Sequence, residues 1–280
     1  MKVQYLGTGG AEGFPGLFCE CQACRKARLH GSYNIKTRSC TLINDIVLVD
    51  LSPDIYYQAI ANQVSLSKVK SVVFTHSHLD HLDLFSLNLR GRDSASIIPT
   101  LIEQANYINI YGSEKVVNDI DKMINNEKRV NIDRFRIKSI EKLTKFTCEG
   151  MMFYPIKVVH DPFESCFIYA IHDGMNWFLL ANDSGLFSEE VYQQMGKISP
   201  CFDAVSLDCA RGNLPGDGHM GLAENITVRN ELIARGFVKQ NAKYYLNHFS
   251  HMCGMIHEEM QELASQHDFQ MTYDGMILEI

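Results

Sequence analysis

The feature that most constrains this chain is a turn rich in metal-ligand side chains at the end of an apolar run. The stretch reads Ser71-Val72-Val73-Phe74-Thr75-His76-Ser77-His78-Leu79-Asp80-His81. A β-branched and aromatic run of this kind predicts a buried strand. Three imidazoles and a carboxylate follow within six residues, where the strand should end. A turn there can aim His76 and His78 at one ion and Asp80 and His81 at a second. Imidazole and carboxylate are the ligand types that hydrolytic Zn, Mn and Fe sites use.

Two ions need more than four ligands, and later apolar runs end in suitable ones. Residues 158–160 end in His160, residues 178–183 in Asp183, and residues 244–248 in His248. Asp50 closes the apolar run 46–50. Strand-like runs also occupy residues 3–6, 41–43, 108–111, 152–159, 166–171, 204–208 and 270–280, the last with a break at Asp274-Gly275. Helical patterns lie between them at 113–126, with Ser113 as its N-cap, and at 188–195, 224–235 and 254–266. Clusters of strands separated by helices predict an α+β protein of two packed sheets with helices outside. Residues 82–106 form the least regular long segment. Its apolar residues, among them Leu84, Phe85, Leu87, Ile97, Ile98 and Leu101, predict that it packs on something, and a lid is one role for such a loop.

Length and charge narrow the classes. With 280 residues, 46% of them hydrophobic, one domain spanning 1–280 is expected. The net charge is −7, and no long Lys/Arg run appears. Nucleic acid is therefore not expected as a partner. Two basic spots, one of Arg25, Lys26 and Arg28 and one from Arg134 to Lys145, read as solvated faces. The N-terminus lacks a long apolar stretch and nothing approaches a membrane span, so a cytoplasmic protein without membrane contact is expected. Homodimer formation is left open by the sequence.

Nine cysteines is an odd number, and three of them crowd together in Cys19-Glu20-Cys21-Gln22-Ala23-Cys24. Thiolates at this spacing suit a tetrahedral structural zinc with one more ligand from elsewhere. The preceding Gly7-Thr8-Gly9-Gly10 lacks the spacing of a dinucleotide loop and reads as a tight turn.

Together these residues resemble the metallo-β-lactamase superfamily. His76 to His81 matches its His-x-His-x-Asp-His motif, and His160, Asp183 and His248 follow in the superfamily's order over essentially the whole chain. The resemblance implies an αββα sandwich, two mixed sheets flanked by helices, with a dinuclear site at one sheet edge. It implies that His76, His78 and His160 bind one metal, that Asp80, His81 and His248 bind the other, and that Asp183 bridges them. Asp50 then matches the acid that orients the histidine loop. The run Gly7 to Pro15 followed by Cys19, Cys21 and Cys24 is similar to two branches, PhnP-like phosphodiesterases and PqqB-like proteins. The PhnP branch takes its fourth structural-zinc ligand from a histidine three residues after the last active-site one. His251 has that spacing, with Cys253 as the fallback. Tyr273-Asp274-Gly275-Met276 also resembles the end of that branch, and His219 matches a histidine implicated there in phosphate-ester chemistry. One departure stands out: the stretch from His81 to Tyr111 is roughly a dozen residues longer than the branch implies, a length that loop entropy tolerates.

What this implies is a hydrolase carrying two divalent cations, Mn, Zn or Fe, and one structural Zn. Its substrate would be a small phosphodiester, a nucleoside 2′,3′-cyclic or ribosyl 1,2-cyclic phosphate. A hydroxide bridging the metals would attack it, with Asp80, Asp183 and His219 in the catalytic group. A lactone or thioester hydrolase, a tRNA-processing nuclease and a non-catalytic PqqB-like carrier are the alternatives.

Overall fold

The computed structural model describes residues 1–95 and 107–280. Fourteen strands are present among them: β1 (Lys2–Gly7), β2 (Cys40–Ile43), β3 (Val47–Val49), β4 (Ser71–Val73), β5 (Ile108–Gly112), β6 (Phe135–Ser139), β7 (Phe146–Cys148), β8 (Met151–Val158), β9 (Cys166–His172), β10 (Trp177–Ala181), β11 (Phe202–Asp208), β12 (Val238–Asn247), β13 (Phe269–Met271) and β14 (Ile277–Glu279). They build two seven-stranded sheets, ordered β14-β1-β2-β3-β4-β5-β6 and β13-β12-β11-β10-β9-β8-β7. Each sheet is mixed. β14 to β3 pair antiparallel and β3 to β6 parallel in the first; β13 to β10 pair parallel and β10 to β7 antiparallel in the second.

Side-chain alternation makes three layers of core from these two sheets. Val47, Val49 and Val73 of the first sheet meet Tyr169, Phe178 and Leu180 of the second in the space between them. Their neighbours Leu48 and Val72 point the other way, into the outer core of the first sheet. Ile168, Ala170 and Leu179 point into the outer core of the second. Because both faces of these strands are buried, the sequence shows continuous apolar runs rather than a polar alternation.

Helices cover the outer faces. α1 (Gln22–His30), α5 (Glu189–Ile198), α6 (Leu222–Ala234) and α7 (His257–Ser265) pack on the second sheet, and α2 (Ile55–Ala61), α3 (Leu84–Gly91) and α4 (Glu114–Asn126) on the first. α4 buries Val116, Ile120 and Ile124, one residue per turn, and Ser113 caps it by accepting from the Val116 N–H. The result is the expected αββα, α+β sandwich. No helix among the described residues is long and apolar enough to cross a membrane.

Some local expectations change. β6 is a strand where only a basic spot was read, and β7 one where no strand was read. α1, α2 and α3 are helices that the periodicity did not announce. The irregular segment 82–106 divides: residues 84–91 form α3, with Leu87 in the outer core of the first sheet, and residues 96–106, including Ile97, Ile98 and Leu101, lie outside the described residues. The basic spots are partly engaged in ion pairs, Lys26 with Glu259, Arg28 with Glu20 and Lys142 with Glu190.

Candidate metal centre

The site lies where strands of both sheets end. β3 leads into Asp50, β4 into residues 75–81, β8 into His160, β10 into Asp183, β11 ends at Asp208 and β12 leads into His248. Three of these residues hold left-handed backbone, Asp50 at φ 64°, Asp183 at 49° and His248 at 58°. Aspartate tolerates that region; a histidine there is held by its surroundings.

The histidine loop is fixed from below. Asp50 is 1% exposed, and it accepts from the Thr75 N–H at 2.8 Å and from His81 Nδ1 at 2.7 Å. The pairing sends His81 Nε2 outward, the usual arrangement when a carboxylate orients a ligating imidazole. Thr75 Oγ1 lies 2.9 Å from His76 Nδ1, which leaves His76 Nε2 as its outward atom too. The Tyr169 hydroxyl donates to Phe74 O at 2.6 Å and the Phe167 N–H to Thr75 O at 3.0 Å, so the second sheet grips the same loop.

Two triads form on this frame. His76, His78 and His160 offer ring nitrogens all within 4.8 Å of one another, and a carboxylate oxygen of Asp80 lies equally close to ring nitrogens of His81 and His248. Asp183 stands between them. Its Oδ1 lies 3.7 Å from His160 Nε2, while its Oδ2 lies 2.7 Å from His81 Nε2 and 3.1 Å from His248 Nε2. Among the described residues, His76 Nε2, His81 Nε2, His248 Nε2 and Asp183 Oδ2 are buried with no partner in hydrogen-bonding geometry. Buried polar atoms ordinarily have partners, so four such atoms in overlapping ligand groups fit cations placed among them.

The charge pattern agrees. Asp183 is held well below the usual carboxylate range: burial works the other way and is outweighed by His248 and His81. Burial likewise opposes the charge on His248, yet Asp183 and Asp208 lift it to about 10. The buried carboxylates thus favour positive charge beside them, which is what cations supply. His76 is pushed well below the imidazole value by burial and by His81, against the opposing pull of Asp183.

His219 stands beside this group. Its Nδ1 is 2.9 Å from Asp208 Oδ2 and 4.0 Å from Asp183 Oδ1, and its ring stacks on His248 at 5.5 Å. Burial opposes its protonation, but Asp208 holds it above the ordinary imidazole value. Asp208 is a residue the sequence reading passed over. It is 0% exposed, and its Oδ2 also accepts from the Asp183 N–H at 3.1 Å and lies 3.2 Å from His248 Nδ1. The strand-end rule that singled out Asp50 and Asp183 applies equally to it. Asp161, 2.9 Å from His78 Nε2, and Glu164, which accepts from the Ser77 hydroxyl at 2.7 Å, were passed over as well. Both sit in a loop without periodicity, where no sequence signal marks them.

A second cluster lies nearby. Cys19, Cys21, Cys24 and His251 present ligand atoms within 4.8 Å of one another, with Cys19 Sγ 3.4 Å and Cys21 Sγ 3.8 Å from His251 Nδ1. Thiolates on a tetrahedral zinc with ~2.3 Å bonds stand ~3.8 Å apart, so the spacing fits. Cys253 is outside this group. Cys21 caps α1 and receives the Cys24 N–H. Burial opposes its ionisation, but that bond and His251 bring its thiol down to about 6, while burial lifts Cys24 to about 12. The glycine-rich loop runs between the two clusters. A Cβ on Gly10 would stand 3.3 Å from His248 Cε1, and one on Gly16 3.2 Å from His251 Cδ2. These two glycines serve close approach rather than a turn.

Comparison with known proteins agrees with this architecture. A family model described as the beta-lactamase superfamily domain matches residues 46–239. A diphosphatase from the PhnP family is similar over 100% of this chain and 97% of its own, with TM-score 0.75 and 21% identity. Zn(2+)-bound PqqB from Methylobacterium extorquens is similar over 100% of both chains, with TM-score 0.68 and 14% identity. An octanoyltransferase of Porphyromonas gingivalis (strain ATCC BAA-308 / W83) is 33% identical over 86 residues, a match covering 29% of this chain and 16% of that protein. With more than half of its length matched by the family model and both of its sheets arranged as in these structures, the chain belongs to the metallo-β-lactamase superfamily.

Proposed function

We propose that this protein is a dinuclear-metal phosphodiesterase acting on small, cyclic phosphodiesters, of the nucleoside 2′,3′-cyclic or ribosyl 1,2-cyclic kind. The observation that carries the reading is the split of Asp183, one oxygen toward His160 and the other toward His81 and His248, with the His219–Asp208 pair alongside. His76, His78 and His160 would hold one cation, Asp80, His81 and His248 a second, and Asp183 both. A cation pair, Mn, Zn or Fe, supplies the acidity that activates water and the charge that neutralises a phosphate. Cys19, Cys21, Cys24 and His251 would hold a structural zinc.

The chain's own residues supply the rest. Asp50, Asp161 and Asp208 fix which nitrogens of His81, His78 and His248 face the centre. With Nδ1 committed to Asp208, His219 carries its exchangeable proton on Nε2. Water adds to phosphorus and loses a proton to solvent, the P–O bond to the leaving alkoxide breaks, and His219 gives that alkoxide its proton and is reprotonated from solvent. Asp208 stabilises the imidazolium beforehand and keeps the ring in register with His248. A cyclic ester opens to a monoester by this route.

The test is metal analysis of the purified protein coupled to a panel of cyclic phosphodiesters, lactones and thioesters. Opening of a cyclic phosphodiester by metal-replete protein is the expected result. Rapid lactone or thioester hydrolysis with no diester cleavage overturns it.

A further inference from the structure

One residue before Asp183 and one residue before His248, the chain carries a buried asparagine. Asn182 and Asn247 belong to a row of side-chain hydrogen bonds. Asn182 Nδ2 donates to Ser39 Oγ at 2.9 Å, Asn247 Nδ2 donates to Asn182 Oδ1 at 3.0 Å, and the Thr272 hydroxyl donates to Asn247 Oδ1 at 2.6 Å. None of the four residues is more than 3% exposed. Phe178 and Leu180 of β10 and Tyr245 of β12 lie in the core between the sheets, and Asn182 and Asn247 continue their alternation. The row therefore crosses from Ser39, which leads into β2 of the first sheet, past the ends of β10 and β12 to Thr272, which follows β13.

Packing does not explain these residues. A side-chain amide costs free energy to bury, and leucine fills a similar volume without that cost. A satisfied polar network instead specifies one arrangement of the groups it joins. This one is satisfied: among the described residues, Ser39, Asn182, Asn247 and Thr272 leave no buried side-chain atom without a partner. Its place matters more. Asp183 and His248 both hold left-handed backbone, at φ 49° and 58°, a conformation that the surroundings must maintain. β10 and β12 are not neighbours, because β11 lies between them, so no ladder of sheet hydrogen bonds joins the two ligand-bearing ends. Asp208, at the end of β11, reaches both through the Asp183 N–H and His248 Nδ1. The Asn182–Asn247 bond joins them directly, and Ser39 and Thr272 anchor it on either side. What it holds constant is the approach of Asp183 Oδ2 to His248 Nε2, 3.1 Å apart.

We propose that Asn182 and Asn247 are positioning residues, whose mutual hydrogen bond sets the separation of Asp183 and His248 and so the fit of the cation these two share. This rests on the dinuclear reading of the centre given above. The bond acts through the ligands, and neither asparagine touches an ion or a substrate.

The test loads full-length protein with manganese and follows two readouts, the affinity for each ion in competition with a chelator and the electron paramagnetic resonance signal of an exchange-coupled pair. Asn247→Leu keeps the bulk of the side chain and removes the tie. It should bind one manganese ion about 10–100-fold more weakly, the usual cost of losing a group that orients a metal ligand. Under conditions that saturate wild type, the coupled signal should give way to that of an isolated ion. A merely structural role would lower the melting temperature of the metal-free protein and leave both readouts where they are. Thr272→Val, a milder change that leaves both asparagines in place, should move both readouts the same way by a smaller factor, and it decides the matter if Asn247→Leu does not fold. Wild-type affinity together with an unchanged coupled signal in the variants overturns the assignment while leaving the dinuclear centre intact. A wild type that binds no more than one manganese ion, or two without coupling, withdraws the dinuclear reading and the assignment with it.

Discussion

The two ligand clusters of this molecule are built by opposite strategies. The His/Asp centre draws its residues from positions 76 to 248, and each stands at the end of a strand whose interior is core. Asp50, Thr75, Asp161 and Asp208 reach ring nitrogens of His81, His76, His78 and His248 and orient them. The Cys/His cluster takes three of its four residues from positions 19 to 24 in a turn that opens α1. Among the described residues its side chains find few partners beyond one another and His251. The difference teaches that the sandwich organises the first site, whereas the second organises its own loop. On the proposed reading, an ion in the first would contribute chemistry and an ion in the second would contribute folding energy.

The sharpest way to break this comparison is through Asp183, since it alone faces both triads. Asp183→Ala should lose both catalytic metals together and lower activity by at least roughly a thousandfold, the several kcal/mol a metal pair supplies. About one zinc per chain should persist on the cysteines. His160→Ala, which leaves Asp80, His81 and His248 untouched, should weaken one metal. Elemental analysis of both variants decides; if Asp183→Ala keeps two labile metals, the bridging role is gone.

Next in size is His219→Ala. It belongs to neither triad, although its ring stacks on His248, so metal content should stay close to the wild-type level while activity falls about 10²–10⁴-fold. The loss should shrink for a nitrophenyl diester, whose leaving group needs no proton. An equal loss for poor and good leaving groups would instead assign His219 to holding phosphate.

How far this was legible in the chain follows from the same contrast. Strand-end ligands show in sequence because a two-sided buried strand is a continuous apolar run, and a histidine or aspartate at its end is conspicuous. Asp208 met that description and was passed over because Asp183 already completed the seven-ligand set. The three cysteines were legible by spacing because they are local, whereas His251, far along the chain, came only from the family resemblance. What stayed hidden lacks a long apolar signal. β6 buries only Phe135 and exposes Arg136 and Lys138, as an edge strand does. α1 buries a narrow stripe of Ala23, Cys24 and Ala27. α3 carries Gly91, which reads as a helix breaker; in the fold a Cβ there would stand 2.7 Å from the Phe135 ring, so the glycine is needed for the helix to sit close to β6.

A milder perturbation sharpens the claim that the sandwich presets the first site. Asp50→Asn keeps the shape of the side chain but weakens its hold on His81 Nδ1. Metal affinity or activity should fall about 10–100-fold, as for other partners of ligating histidines. The affinity of the cysteine cluster should not move. A titration with a competing chelator, read against residual activity, separates the two.

The smallest expected effect on catalysis comes from Cys21→Ser, and it probes whether the two clusters are independent at all. The variant should lose the tightly held zinc and melt more than about 5 °C lower, because structural-site binding is folding free energy. Catalytic metals should remain, since none of their ligands lies on the cysteine turn. Independence has a limit, however. His248 and His251 are three residues apart, and Glu12 in the glycine-rich loop contacts the Ser250 hydroxyl while its Oε1 lies 3.5 Å from His251 Nε2. Gly10 and Gly16 of the same loop lie against the two histidines. Slackening the cysteine turn therefore loosens the chain on which His248 sits, and activity should drop by a factor of no more than about ten, the lower end of what a displaced supporting group costs. If Cys21→Ser strips all three metals at once, the clusters form one cooperative unit and the division between a preset site and a self-organising one does not hold.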